Sequence, residues 1–236
     1  IMNKIIKTIK EISENPRGKA LLFFGFYIVF FAIVFLLIHF SDSTLSYGDD
    51  YEKSYSSSSV NLNNIFSNNY SFKYEVVLDN KIYTYLGAKK DEVESIKYNN
   101  SDYYRNGNKF LIKGNTWVET TNPYVYGEYF DTLNIKKILE NSYYVSKTEF
   151  ENGIMSFNYA VSSNTLNSLL YGMNTDYDEI PNEIIISTDE NRNVNKISFN
   201  LNSLCKNNGF CNYGFKINLE YDLFGEVEGI VNPLEN

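Results

Sequence analysis

The stretch that decides the fold is Tyr70-Ser71-Phe72-Lys73-Tyr74-Glu75-Val76-Val77-Leu78. Successive side chains of a strand point to opposite faces, so the aromatic residues and Val76 share one face and the polar residues share the other. This alternation is typical of an antiparallel sheet that has one face on a core and the other in water.

The same alternation recurs along the chain between short polar turns. Turns are predicted at Asp79-Asn80, Arg105-Asn-Gly-Asn108, Glu151-Asn-Gly153 and residues 189–193, because Asn-Gly and similar pairs favour tight hairpins. The alternation ends with Phe215–Tyr221. About nine or ten antiparallel strands are therefore expected from residue 65 onward.

Two segments have helical spacing instead. Residues 131–139 begin with Asp131, a favourable N-cap, and their apolar residues recur at helical intervals. Residues 163–171 show a weaker pattern and end at Gly172, a suitable C-cap. Strands with two or three short helices predict a single domain of the α+β class.

An apolar run near the N-terminus predicts a membrane anchor. Residues 20–40 contain no charged side chain, and about 20 apolar residues cross the hydrocarbon core of a bilayer as a helix. The run is too long for the apolar part of a cleaved signal peptide, and no cysteine follows it for lipid attachment. We therefore expect an uncleaved, single-pass transmembrane helix over residues 20–40.

The charges beside this run predict its orientation. Basic residues precede the span and acidic residues follow it: Lys4, Lys7, Lys10, Arg17 and Lys19, then Asp42, Asp49, Asp50 and Glu52. Because the positive flank stays in the cytoplasm, residues 1–19 are expected to be a short cytoplasmic segment and the domain to be extracellular at the cell membrane. Residues 1–19 fit either a basic helix on anionic lipid or a solvated tail.

A tether is expected between the span and the outer domain. Residues 41–64 lack apolar periodicity and include Ser54-Tyr-Ser-Ser-Ser-Ser59. Such a composition predicts a flexible linker rather than a packed element. The alternative is that this segment is an irregular part of the domain, which we otherwise place at residues 65–236.

Composition excludes several kinds of function. A net charge of -8 argues against a nucleic-acid partner, and a single histidine, His39, excludes His-dependent triads and multi-histidine metal sites. We therefore expect no enzyme activity, no catalytic residue, no cofactor and no metal. Abundant Asn, Tyr and Phe match the codon usage of a low-GC bacterium, so the aromatic residues alone do not indicate a binding surface.

The two cysteines lie close together between the last two predicted strands. Cys205 and Cys211 flank a Gly-containing loop, and outside the cytoplasm such a pair should oxidise. A structural staple on a hairpin is the first hypothesis, and a reduced or redox-active pair is the alternative, although the Cys-x-x-Cys spacing is absent. An unreduced sample should show the link by mass spectrometry.

The order of these elements resembles the LolA/LppX-like superfamily from about residue 65 to Pro233. The resemblance depends on the paired opening strands, on Tyr98–Tyr104 running into Asn115-Thr-Trp-Val118, and on the mid-domain helix at 131–139. It also depends on a closing Ile217–Gly225 segment that leads to Ile230-Val-Asn-Pro233. It implies an antiparallel half-barrel curled around helices, with a concave cavity for lipid or another hydrophobic ligand and no catalytic residues. A helix anchor departs from the superfamily's carriers.

Two functions remain open at this level. The first is a membrane-anchored domain that binds a lipid or other hydrophobic ligand, with unknown ligand-binding residues; the aromatic residues could equally fill a core. The alternative is a protein-interaction or sensory ectodomain of a cell-envelope complex. Minor candidates are an acidic group for calcium (Asp176, Asp178 and Glu179), a binding rim (Trp117 and Tyr124), and two glycosylation acceptor patterns (Asn69 and Asn99).

Overall fold

A computed structural model of the protein describes residues 60–175 and 180–234, together with Tyr27, Phe30 and Phe31. The chain divides into two compact units, Ile1–Asp50 and Tyr51–Asn236. In the first unit the three described residues are helical and their side chains are exposed. Otherwise the predicted span 20–40, the basic segment 1–19 and His39 lie outside the described residues. Within the described part of the chain, no helix is both long enough and apolar enough to cross a membrane.

The second unit is built on one antiparallel sheet of eleven strands in its described part. The strands are β1 (Asn69–Leu78), β2 (Lys81–Lys90), β3 (Val93–Tyr98), β4 (Ser101–Asn106), β5 (Lys109–Lys113), β6 (Trp117–Thr120), β7 (Tyr143–Glu149), β8 (Met155–Val161), β9 (Asn182–Thr188), β10 (Val194–Asn200) and β11 (Phe215–Asp222). Four short α-helices accompany them: α1 (Asn63–Phe66), α2 (Thr132–Glu140), α3 (Ser163–Tyr171) and α4 (Asn202–Asn208). A 3₁₀ turn covers Gly127–Tyr129.

The strand order is β6-β5-β4-β3-β2-β1-β11-β10-β9-β8-β7. Two meanders therefore run outward from a central pair, in which β1 lies antiparallel to β11 with Tyr74 opposite Leu219. The sheet is open and curves like a half-barrel. We call the face that carries the helices the inner face and the opposite one the outer face. The predicted α+β class, a mostly antiparallel sheet with short helices, is confirmed.

The opening stretch has the predicted alternation. Tyr70, Phe72, Tyr74 and Val76 of β1 are at most 4% exposed, and the residues between them are half-buried. The strand count exceeds the expected nine or ten, because the alternation did not single out β3 or β6. Asn99 and Asn100 have φ angles of 48° and 62°, which make a tight turn between β3 and β4.

Both predicted helices are present with the predicted caps. The Asp131 carboxylate accepts from the Leu133 N–H at 2.8 Å at the start of α2. Gly172 ends α3 in the left-handed region at φ 65°. The helices α1 and α4 were not predicted. The end of the predicted tether instead packs on the core, since Val60 is 6% exposed and Leu62 is 1% exposed; residues 41–59 lie outside the described residues.

Helices and aromatic rings occupy the inner face. Ile138 of α2, Leu166 of α3 and Leu204 of α4 belong to the same buried cluster as the inward residues of the strands. Tyr74 stacks on Phe72 with ring centroids 4.2 Å apart and contacts Phe130 at 4.8 Å. Burying each large apolar side chain contributes about 1.5–3 kcal/mol. Many of the abundant aromatic residues therefore form part of the hydrophobic core.

Candidate ligand-binding groove

The outer face of β2–β6 carries a second, smaller apolar region. Strand register places Tyr104 opposite Ser95 and Leu111, so Tyr104 and Leu111 point to the same face. Tyr104 is 5% exposed and Leu111 is 8% exposed, yet neither belongs to the main core cluster. The outer face of an antiparallel sheet usually lies in water, so these two side chains require a cover of their own.

The C-terminal segment lies beside this region. Its path is fixed near the start of β1, where the Gly225 N–H donates to the Asn69 carbonyl at 2.8 Å and the Val227 N–H donates to Asn69 Oδ1 at 3.0 Å. Residues 229–233 then line a groove against the outer face. The closing segment of the sequence therefore becomes one wall of a cavity.

The groove has a volume of about 600 Å³, within the range of small-molecule sites. Apolar side chains form much of its lining: Leu86, Tyr104, Trp117, Ile230, Val231 and Pro233. Leu86 is 48% exposed and Val231 is 67% exposed. An apolar groove with exposed walls can accept a hydrophobic ligand without opening the core.

Two opposite charges lie in the same groove. Lys97 of β3 faces Asp102 of β4 across the strand pair, and both line the cavity. They give the groove no net charge of its own. The groove therefore suits an amphipathic or neutral ligand better than a strongly anionic or cationic one.

The two predicted rim residues are separated by the structure. Trp117 begins β6, is half-exposed and lines the groove. Tyr124 is buried on the inner face, where its hydroxyl donates to Glu94 Oε2 at 3.0 Å. Burial first, and the Glu94 charge second, raise the pKa of Tyr124 well above its usual value, so its hydroxyl stays protonated. Only Trp117 is available for ligand contact.

Glu94 is the centre of a polar cluster that sequence reasoning missed. It is 4% exposed and lies between Lys89 of β2 and Arg105 of β4 on the inner face. Its Oε1 is 3.0 Å from Arg105 Nη1 and 3.5 Å from Lys89 Nζ. The cluster borders a cavity of about 270 Å³. The Glu94 carboxylate is already paired with two cations and a hydroxyl. We therefore interpret this cluster as structural: it stabilises the register of β2, β3 and β4.

The predicted disulfide between Cys205 and Cys211 is present, with Cα atoms 5.5 Å apart. Its setting differs from the predicted hairpin staple, because Cys205 belongs to α4 rather than to a strand loop. The bond joins α4 to the segment that leads into β11. Closing so short a ring stabilises the fold by about 2 kcal/mol in the loop-entropy estimate.

The structure describes only some of the other candidate positions. Asp176, Asp178 and Glu179 lie outside the described residues. In the described part of the chain, no three His, Cys, Asp or Glu side chains group closely enough to hold a metal ion. Asn69 uses its side-chain oxygen to hold Val227, and Asn99 forms the β3–β4 turn.

A carboxylate at the β1–β2 turn is held by main-chain donors. Asp79 Oδ1 accepts from the N–H groups of Asn212, Tyr213 and Gly214 at 2.9, 2.6 and 3.3 Å. The Tyr213 N–H chiefly lowers the pKa of Asp79, with smaller contributions from the Gly214 and Asn212 N–H groups against the opposing effect of burial. The ionised carboxylate therefore ties the turn to the segment after the disulfide.

The Asp79 contacts predict a loss of stability in acid. A lowered folded pKa means that the contribution is fully present above the usual value of 3.8 and is lost as pH falls through the lower folded value. Near neutral pH, Asp79→Asn should therefore unfold at a lower urea concentration than the wild type. The difference between the two unfolding midpoints should become smaller as the pH falls below 3.8. The control is Asp102→Asn, since the Asp102 carboxylate accepts no hydrogen bond among the described residues. A gap that is constant with pH would contradict this.

The comparisons with known proteins give few matches. No family model matches the sequence, and no curated protein matches it. Among solved structures, the crystal structure of LprF from Mycobacterium bovis aligns with a TM-score of 0.37 at 11% identity. That alignment covers 70% of this chain and 90% of the LprF chain.

Proposed function

We propose that this protein is a non-enzymatic, membrane-anchored domain that binds a lipid or other hydrophobic ligand in the outer groove. The observation that carries the proposal is the apolar groove between the outer face of β2–β6 and residues 229–233, with Trp117 at β6. Residues 20–40 would hold the domain at the outside of the cell membrane, with the N-terminus in the cytoplasm.

The location of the site differs from the half-barrel cavity that the LolA/LppX resemblance implies. On the inner face, α2, α3 and α4 pack against the strands, and aromatic rings fill the space around Phe130. The cavity of about 270 Å³ beside Glu94 has mostly polar and charged side chains in its lining. A hydrophobic ligand elsewhere on this face would have to displace buried side chains. On the outer face, Leu86 and Val231 are already exposed, so binding would cover apolar surface without unpacking the core.

The sheet edge at β7 gives less support to the alternative of a protein-interaction ectodomain. An exposed edge strand can pair with a partner strand. The edge strand β7 instead carries a register irregularity between Tyr144 and Ser146 and the charged pair Lys147–Glu149. Bulges and charges are the usual means of blocking such pairing.

The groove can be tested with the protein's own fluorescence, because Trp117 is its single tryptophan. We expect a fatty acid brominated at mid-chain to quench this emission saturably in the full-length protein held in amphipathic polymer. Bromine quenches tryptophan emission only at close contact. Saturable quenching would therefore place the acyl chain of the fatty acid in the groove. Native mass spectrometry after mild extraction should also show a co-purifying or added lipid.

Two matched variants sharpen this test. Leu86→Asp replaces an apolar wall of the groove with a carboxylate and should abolish most of the saturable quenching. Ile82→Asp lies on the same strand and the same face, is similarly exposed and does not line the groove, so quenching should persist. Linear, non-saturating quenching, or equal quenching in both variants, would sink the proposal.

A further inference from the structure

One end of the sheet carries a short projecting tip. We define the tip as the β1–β2 turn, residues 79–82, together with residues 209–214 before β11. Asp79 joins the two parts through three accepted N–H bonds, and its own N–H donates to the Gly214 carbonyl at 2.8 Å. The disulfide Cys205–Cys211 fixes the other side of the loop to α4. The Asp79 hydrogen bonds therefore fix one side of the 209–214 segment, and the disulfide fixes the other.

This rigid tip displays apolar side chains to solvent. Tyr213 is 79% exposed, the highest value among the large hydrophobic residues of the described chain, and Ile82 is 65% exposed. In the same loop Phe210 turns inward, with its ring centroid 5.4 Å from that of Phe215. The loop therefore packs one aromatic residue, partly buried, against the core and leaves another exposed to solvent.

The charges around the tip are basic, although the whole chain has a net charge of -8. Lys81 and Lys216 are exposed beside Ile82 and Tyr213, and Lys206 is exposed on α4. None of these lysines has an ion-pair partner among the described residues. The one acid of the tip, Asp79, is occupied by main-chain donors. Negative charge on a partner would therefore meet free ammonium groups here.

We propose that this tip is a contact site for the surface of an anionic lipid bilayer. Tyrosine is suited to the headgroup level, isoleucine to the acyl boundary, and lysine to lipid phosphates. Because the disulfide and the Asp79 bonds already fix the loop, little conformational entropy is lost when it docks. The inference rests on the proposed membrane location but is independent of ligand binding in the groove.

The test uses the full-length chain in vesicles that contain brominated anionic lipid. The variant W117F/Y213W moves the single tryptophan to the tip, and W117F/F150W is the matched control. Phe150 is 51% exposed and follows β7 at the opposite end of the sheet. We expect strong quenching and a blue-shifted emission for W117F/Y213W, and neither for W117F/F150W.

Charge and staple variants test the chemistry of docking. A lysine near an anionic surface contributes about 1 kcal/mol, so adding Lys81→Gln to W117F/Y213W should lower the docked-to-undocked ratio roughly fivefold. Adding Cys205→Ser and Cys211→Ser to W117F/Y213W should weaken quenching in the same anionic vesicles, because the loop is then less fixed before it docks. Vesicles of zwitterionic lipid should give little quenching with any of these variants.

The outcomes separate the two proposals. Failure of the chain to float with vesicles after an alkaline wash would contradict the proposed anchor, whatever the tip does. Flotation with equal quenching at both tryptophan positions, or quenching that ignores lipid charge, would overturn the tip assignment. An emission shift that occurs in native membranes, but not in vesicles that contain no other protein, would indicate a protein partner. That result would also overturn the tip assignment.

Discussion

Replacing Glu94 with alanine should lower the free energy of unfolding by about 1.5–3 kcal/mol, because it removes the charged hydrogen-bond partner of two part-buried cations. Lys89 and Arg105 converge on Glu94 across neighbouring strands, at 3.5 and 3.0 Å. The Tyr124 hydroxyl would also lose its acceptor. Urea unfolding of the full-length protein in mild detergent, followed by far-UV circular dichroism, would measure the loss.

Two further variants test the Glu94 explanation. Glu94→Gln keeps the shape and one hydrogen-bond acceptor but removes the charge, so its loss should be intermediate. Glu119→Ala removes an exposed carboxylate from β6 and should change stability by less than about 0.5 kcal/mol. A Glu94→Ala protein that unfolds at the wild-type urea concentration would show that the cluster contributes nothing net.

Replacing Gly87 with alanine should cost about 3 kcal/mol or more. An added Cβ at this position would lie 2.6 Å from Cζ of Phe72 and would also collide with the main-chain carbonyl of Ser95. Phe72 is 4% exposed in the core and Ser95 is paired within β3, so neither can move without disturbing the sheet. Overpacking against a fixed backbone exceeds the usual range of about 1–3 kcal/mol.

The matched control for this substitution is Gly229→Ala. A Cβ at Gly229 meets nothing within 4 Å, so the change should be nearly neutral. Thermal unfolding of both variants under identical conditions would compare them. Equal melting temperatures for Gly87→Ala and the wild type would show that Phe72 and the β2–β3 pair can relax to accommodate the added methyl group.

Local patterns predicted much of the sheet. The alternation in Tyr70–Leu78 arises within one strand, and the caps at Asp131 and Gly172 depend on a few neighbouring residues. The helix α4 could not be found in this way. Its sequence is short and rich in Asn, with little apolar periodicity, and its tertiary anchors are Leu204 and Cys205 on the core.

The same reasoning could not predict the apolar groove or the Glu94 cluster. Glu94 and Arg105 are 11 positions apart, and only the β3–β4 register makes them neighbours. The groove requires residues 229–233 to fold back, which depends on a bond between Asn69 and Val227 across 158 positions. The sequence did contain a signal for the close packing at Gly87. A glycine inside a strand often marks a position where another group approaches the backbone closely.

The sequence by itself determined an antiparallel α+β domain, two helix positions and a cysteine pair that could oxidise. It also predicts a membrane anchor at residues 20–40 and contains a single histidine, His39. Only the tertiary structure decided that helices and rings occupy the inner face and that an apolar groove lies on the outer one. The physical reason is that alternation and capping act within a few residues. A cavity and an ion-pair cluster depend on which distant strands become neighbours.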